Sequence, residues 1–89
     1  MTQEQVTITN KLGLHARAAA KLVHIASAFE AEIYVGTEHE EVNAKSILGI
    51  LTLAATKGTP LNVRADGADE EAAVRAIVEL FANKFGEDQ

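Results

Sequence analysis

The chain has 89 residues, 47% hydrophobic and 24% charged, with one proline and no cysteine. A chain this short buries roughly 60–65% of its unfolded surface and supports one core, so a single domain over residues 1–89 is expected and two-domain schemes are excluded. The composition excludes a disordered or collagen-like chain, and the absence of cysteine excludes disulfides, thiolate chemistry, iron–sulfur clusters and cysteine-based zinc sites.

Val6 and Ile8 alternate with Gln5, Thr7 and Thr9, which predicts a first strand. Asn10-Lys11-Leu12-Gly13 breaks it. From Ala16 onward Ala19, Leu22, Val23 and Ala26 recur at helical spacing, leaving Lys21 and Ser27 for the other face. Residues 31–36 alternate again, Ile33 and Val35 against Glu32 and Tyr34, and Gly36-Thr37-Glu38-His39 turns into a short strand over residues 41–44. Ser46 is a good N-cap for a helix of about two turns through the apolar run Ile47-Leu48-Gly49-Ile50-Leu51-Thr52-Leu53. Such a helix cannot bury all five large side chains against one sheet, so one or two are expected to face solvent.

Lys57-Gly58-Thr59-Pro60 punctuates the chain, and Leu61, Val63 and Ala65 alternate with Asn62 and Arg64 as a fourth strand, closed by Asp66-Gly67. A last helix carries Val74, Ile77, Val78, Phe81 and Phe85 on one face. Asp69, Glu70 and Glu71 lie in its first turn and Lys84 in its last, as the helix dipole favours. The order βαββαβα predicts an α+β fold: an open-faced sandwich in which a four-stranded antiparallel sheet carries three helices on one face and leaves the other wet.

Thirteen acids against eight bases give a net charge of −5, which argues against nucleic acid as a partner. The acids avoid residues 5–29, which hold Lys11, His15, Arg17, Lys21 and His24, and residues 42–65, which hold Lys45, Lys57 and Arg64. Two acid-free segments in an acidic protein suit an anion or an acidic partner surface. The longest apolar run falls far short of the roughly 18 residues of a membrane span, and no signal peptide is recognisable, so no membrane insertion and a cytoplasmic location are expected.

The most informative position is the start of the first helix, Gly13-Leu14-His15-Ala16-Arg17. Helices begin with unpaired amides that Ser, Thr, Asp or Asn usually caps; this one offers an imidazole, then small residues and an arginine. Free amides, the positive helix end and a guanidinium converging near one imidazole suit a phosphoryl group, and a neutral imidazole is a nucleophile toward phosphorus. Nothing close to His15 in sequence is acidic, so no base is expected there to activate water. An ordinary loop histidine is the plainer reading. His24 and His39 have no such surroundings and no metal-pair spacing, and both are read as surface. Ser46 is fully explained as an N-cap worth about 1 kcal/mol, although a phosphate is also tolerated at a helix start. Phosphate-loop motifs and a serine triad are absent, which argues against autonomous catalysis.

Taken together, Val6-Thr7-Ile8-Thr9-Asn10 leading to Gly13-Leu14-His15-Ala16-Arg17, Asn43-Ala44-Lys45-Ser46-Ile47-Leu48-Gly49 and Lys57-Gly58 resemble the HPr family of phosphocarriers of the bacterial phosphoenolpyruvate-dependent phosphotransferase system. The opening and the closing stretch from Leu80-Phe81 to Gly86-Glu87-Asp88 resemble the nitrogen-branch member. Lys45-Ser46-Ile47 and Gly67-Ala68-Asp69-Glu70 resemble sugar-branch proteins, so the branch stays open. The resemblance implies the HPr-like fold and a phosphoryl group taken on Nδ1 of His15 from phospho-enzyme I and passed to a histidine of an enzyme IIA-type protein. It further implies that Arg17 neutralises the phosphoryl oxygens while the amides of Ala16 and Arg17 cradle them. Ser46 matches a regulatory site that an HPr kinase modifies in some bacteria, and Ile47, Leu48, Leu51 and Thr52 fall where partners dock. No cofactor and no metal are implied, and a monomeric carrier and co-substrate rather than an enzyme is expected. One departure is Ala18, where the family usually has Pro, which leaves the start of the helix less rigid. His24 and Ser27 also replace basic docking residues. A regulatory module controlled through Ser46 and a structural adaptor are the competing readings.

Overall fold

A computed structural model describes residues 1–87. Its elements in chain order are β1 (Thr2–Thr7), α1 (Ala16–Ala26), β2 (Glu32–Gly36), β3 (Glu41–Asn43), α2 (Ile47–Leu53), β4 (Pro60–Asp66) and α3 (Glu70–Ala82), followed by a 3-10 turn at Lys84–Gly86. The strands form one sheet of order β1-β4-β2-β3, and every neighbouring pair is antiparallel.

Strict alternation decides which sheet face is dry. Val6, Ile33, Val35, Leu61, Val63 and Ala65 are buried beneath the helices together with Ala19 and Leu22 of α1, Ile50 of α2 and Val74, Ile77 and Phe81 of α3. The opposite face is polar. There Arg64 stacks 4.5 Å over the Tyr34 ring, its cross-strand neighbour, and grips Glu41 through two hydrogen bonds of 2.6 and 3.1 Å. That pairing keeps Arg64 on the wet face, so the second acid-free segment does not contribute it to an anion site.

Three boundaries differ from the sequence reading by more than one residue. β1 starts at Thr2, because polar Gln3 and Glu4 pair with Arg64 and Val63 through backbone bonds that hydropathy does not register. Ile8 lies beyond the strand yet keeps its backbone tied to the segment before β4, receiving an N–H from Gly58 at 2.8 Å and donating to Thr59 at 3.1 Å. Third, α3 stops at Ala82, so Lys84 and Phe85 are outside it, both with positive φ of 58° and 57°. Phe85 is nevertheless buried, edge-on to Phe81 with centroids 4.9 Å apart. The turn is stapled by the Asn83 carboxamide accepting from Gly86 N–H and by Lys21 Nζ donating 2.5 Å to the Phe85 carbonyl. The chain beyond α3 thereby turns back toward α1. Asp88, which closes one of the family-like stretches, is outside the described residues.

Candidate functional site

Every route to the site starts with the turn between β1 and α1. Gly13 takes a φ of 66°, and a Cβ built there would lie 2.6 Å from the Ala55 carbonyl oxygen, so the position admits only glycine without displacement of backbone. Leu14 N–H donates 3.0 Å to that same carbonyl and buries its side chain, which fixes the direction in which the next residue emerges. The next residue is His15.

His15 is the N-cap of α1, with extended backbone (φ −75°, ψ 177°) and no side-chain capping bond. Its carbonyl accepts the first helical bond, from Ala19 at 2.8 Å, while the amides of Ala16, Arg17 and Ala18 meet no acceptor among the described residues. The Ala16 and Arg17 N–H groups, on exposed residues at the positive end of an eleven-residue helix, are therefore left open beside an imidazole whose side chain is 26% exposed. The Arg17 side chain is 68% exposed. His15, Ala16 and Arg17 thus stand together at the start of α1.

Nothing acidic lies near His15 in sequence, but the fold brings a carboxylate to it, where no base was expected. Glu87, from beyond the 3-10 turn, places Oε2 2.5 Å from His15 Nε2 and 3.6 Å from Arg17 Nη2. Its Oε1 accepts 2.9 Å from Asn10 Nδ2, which also donates 2.8 Å to the Gly13 carbonyl. The Glu87 side chain is only 7% exposed. Burial, the strongest single influence on its carboxyl, pushes the group up. Hydrogen bonds from Asn10 and His15, with the charges of His15 and Arg17, outweigh it and hold the group below its usual range. Asn10 is wholly buried, and its Oδ1 has no partner. Sequence reasoning missed both residues. Asn10 reads as an ordinary turn residue, and Glu87 is 72 positions from His15 with no motif linking them.

The other candidates lie on α1 and α2, which pack together. Ser46 caps α2, its Oγ accepting 3.1 Å from Gly49 N–H. Ile50 is buried, while Ile47, Leu48 and Leu51 are exposed, Leu48 by 74%. Three large side chains face solvent rather than the expected one or two, because α2 presents only one narrow side to the core. Thr52 is exposed and turns its hydroxyl back to the Leu48 carbonyl at 2.6 Å. His24 and His39 are exposed, and no group of three or more metal-ligating side chains is found among the described residues. No described helix is long and apolar enough to cross a membrane.

An open-faced sheet whose first helix starts, uncapped, at a histidine defines a narrow class of small α+β proteins. Residues 2–83 match the family described as the PTS HPr component phosphorylation site. The phosphocarrier protein HPr of Xylella fastidiosa strain Temecula1 is 53% identical over 88 residues, 99% of each chain. That of Neisseria meningitidis serogroup A is 46% identical over the whole of both. The structure of HPr from Thermoanaerobacter tengcongensis superposes with a TM-score of 0.96 at 45% identity over all of both chains. The chain belongs to the HPr family, the phosphocarriers of the phosphotransferase system.

Proposed function

We propose that His15 accepts a phosphoryl group derived from phosphoenolpyruvate, delivered by phospho-enzyme I, and hands it to a histidine of an enzyme IIA-type protein. The observation that carries this reading is the free first turn of α1: the amides of Ala16 and Arg17 meet no acceptor among the described residues, at the helix end where His15 stands. They cradle the phosphoryl oxygens, and Arg17, exposed at the surface, supplies the balancing charge. In each transfer the attacking ring nitrogen forms a bond to phosphorus as the donor's bond breaks. The protein is a co-substrate throughout and acts as a cytoplasmic monomer of one domain over residues 1–89, without cofactor or metal.

Ile47, Leu48, Leu51 and Thr52 form the docking surface for both partners, and the apolar exposure of the first three supports it. Ser46 is the regulatory position. A phosphate placed there by an HPr kinase sits at the start of α2 and puts negative charge beside that surface.

Incubation with phosphoenolpyruvate and enzyme I tests the reading. Acid-labile label on the wild type and none on a folded His15→Ala is expected. Undiminished label on His15→Ala, or acid-stable label alone, overturns it.

A further inference from the structure

His15 has two ring nitrogens, and only the one that carries a lone pair can attack phosphorus. The surroundings of Nε2 decide which one that is. An ionised carboxylate only accepts hydrogen bonds, so Glu87 Oε2 at 2.5 Å requires the proton on Nε2. The carboxylate is itself held on its far side by Asn10 Nδ2, and Asn10 cannot reverse its amide without turning an oxygen toward the Gly13 carbonyl. We infer that the Asn10–Glu87 pair is a positioning device that locks His15 in its Nε2–H form and leaves Nδ1 as the attacking nitrogen.

This inference rests on His15 being the phosphoryl acceptor and names how that acceptor is prepared. The step then needs no proton movement. The Nδ1 lone pair bonds to phosphorus, the donor's leaving group departs with the electron pair of the bond that breaks, and the Nε2 proton stays where it was. The ring becomes an N-phosphoimidazolium, whose positive charge is met by Glu87 across the bond already present. Glu87 also occupies Nε2 sterically, which confines an incoming donor to the Nδ1 side of the ring. A carboxylate bound to both Asn10 and His15 is also turned away from general-base duty toward water.

The Asn10 amide makes the test sharp. In Glu87→Gln the side-chain oxygen must face the Asn10 donor, which points the amide NH2 at His15 Nε2. That donor demands a lone pair on Nε2 and moves the proton to Nδ1, the opposite tautomer. Glu87→Ala imposes nothing and returns the ring to the mixture of an unconstrained imidazole. Nitrogen-15 shifts of the ring, recorded on each unphosphorylated protein well above neutral pH, report the tautomer directly. The expected result is pyridine-like Nδ1 in the wild type, inversion in Glu87→Gln and an intermediate mixture in Glu87→Ala. Initial phosphorylation rates should follow that order, with Glu87→Gln slowed at least about tenfold and slower than Glu87→Ala, a ranking that lost packing alone does not produce. A wild-type ring protonated on Nδ1, or an unchanged tautomer in Glu87→Gln, overturns the inference. Absence of label on the wild type instead strikes at His15 as the acceptor and leaves the tautomer measurement standing by itself.

Discussion

Gly13 lies directly against Ala55. The 2.6 Å separation between a notional Gly13 Cβ and the Ala55 carbonyl oxygen involves the same carbonyl that receives the Leu14 amide. Gly13→Ala therefore brings both left-handed strain and a collision with backbone that cannot rotate away. The expected cost is about 2–4 kcal/mol in urea unfolding. Because the turn aims His15, phosphorylation should also slow in the fraction that remains folded. A loss below about 0.5 kcal/mol would show that the turn relaxes freely.

Ser46 is predicted to carry a structural role separable from any regulatory one. Its Oγ satisfies the Gly49 amide at the start of α2, so Ser46→Ala should lose about 1 kcal/mol, read as a lower thermal midpoint. Ser46→Asp preserves an acceptor and adds the charge that a helix start favours, so its stability should stay within about 0.5 kcal/mol of the wild type. Its binding to enzyme I, measured by calorimetry, should weaken through the charge placed beside Ile47 and Leu48. Equal affinity of Ser46→Asp and wild type would remove Ser46 from control of that surface.

β1, β2, β4 and the first and last helices were legible because each buries one face, which writes a period of two or of about 3.6 into the sequence, whereas α2 was legible from its Ser46 cap and apolar run and β3 from the turn before it. The uncapped start at His15 was legible for the converse reason: a residue type expected there is missing. Phe85 misled because it falls four positions after Phe81, the helical repeat, while its contact is made from a turn with positive φ. Glu87 was illegible for a different reason. Its partnership with His15 depends on where the Lys84–Gly86 turn sends the chain, a tertiary outcome that no local pattern encodes.

Glu70 predicts the response to acid. The Thr2 hydroxyl, the Met1 amine and the Gly67 amide all donate to its carboxylate, the Thr2 bond having the largest effect, and lower it from 4.5 to about 2. The folded state thus holds this group ionised more strongly than the unfolded chain does. Its stabilising contribution is complete above pH 4.5 and is lost as pH falls from there toward about 2. Glu70→Gln should accordingly melt below the wild type at pH 7, with the gap closing through that window. A gap that persists unchanged at pH 2 would mean that the carboxylate's charge is not what ties β1 to α3.

Ala18 offers the last test, since the resemblance to the family leads one to expect proline at that position. It is the third residue of α1, and its amide meets no acceptor among the described residues, so replacing it with proline sacrifices no hydrogen bond. The Ala16 and Arg17 amides, proposed to hold the phosphoryl oxygens, keep their hydrogens. Proline also narrows the unfolded ensemble. The expected gain is about 0.4–1 kcal/mol, a rise of a few degrees in the thermal midpoint for a domain of this size. The opposing force is crowding, because Ala18 is fully buried and the ring adds two carbons against the core. A midpoint that falls rather than rises would show that this core has closed around the smaller side chain beneath the start of α1.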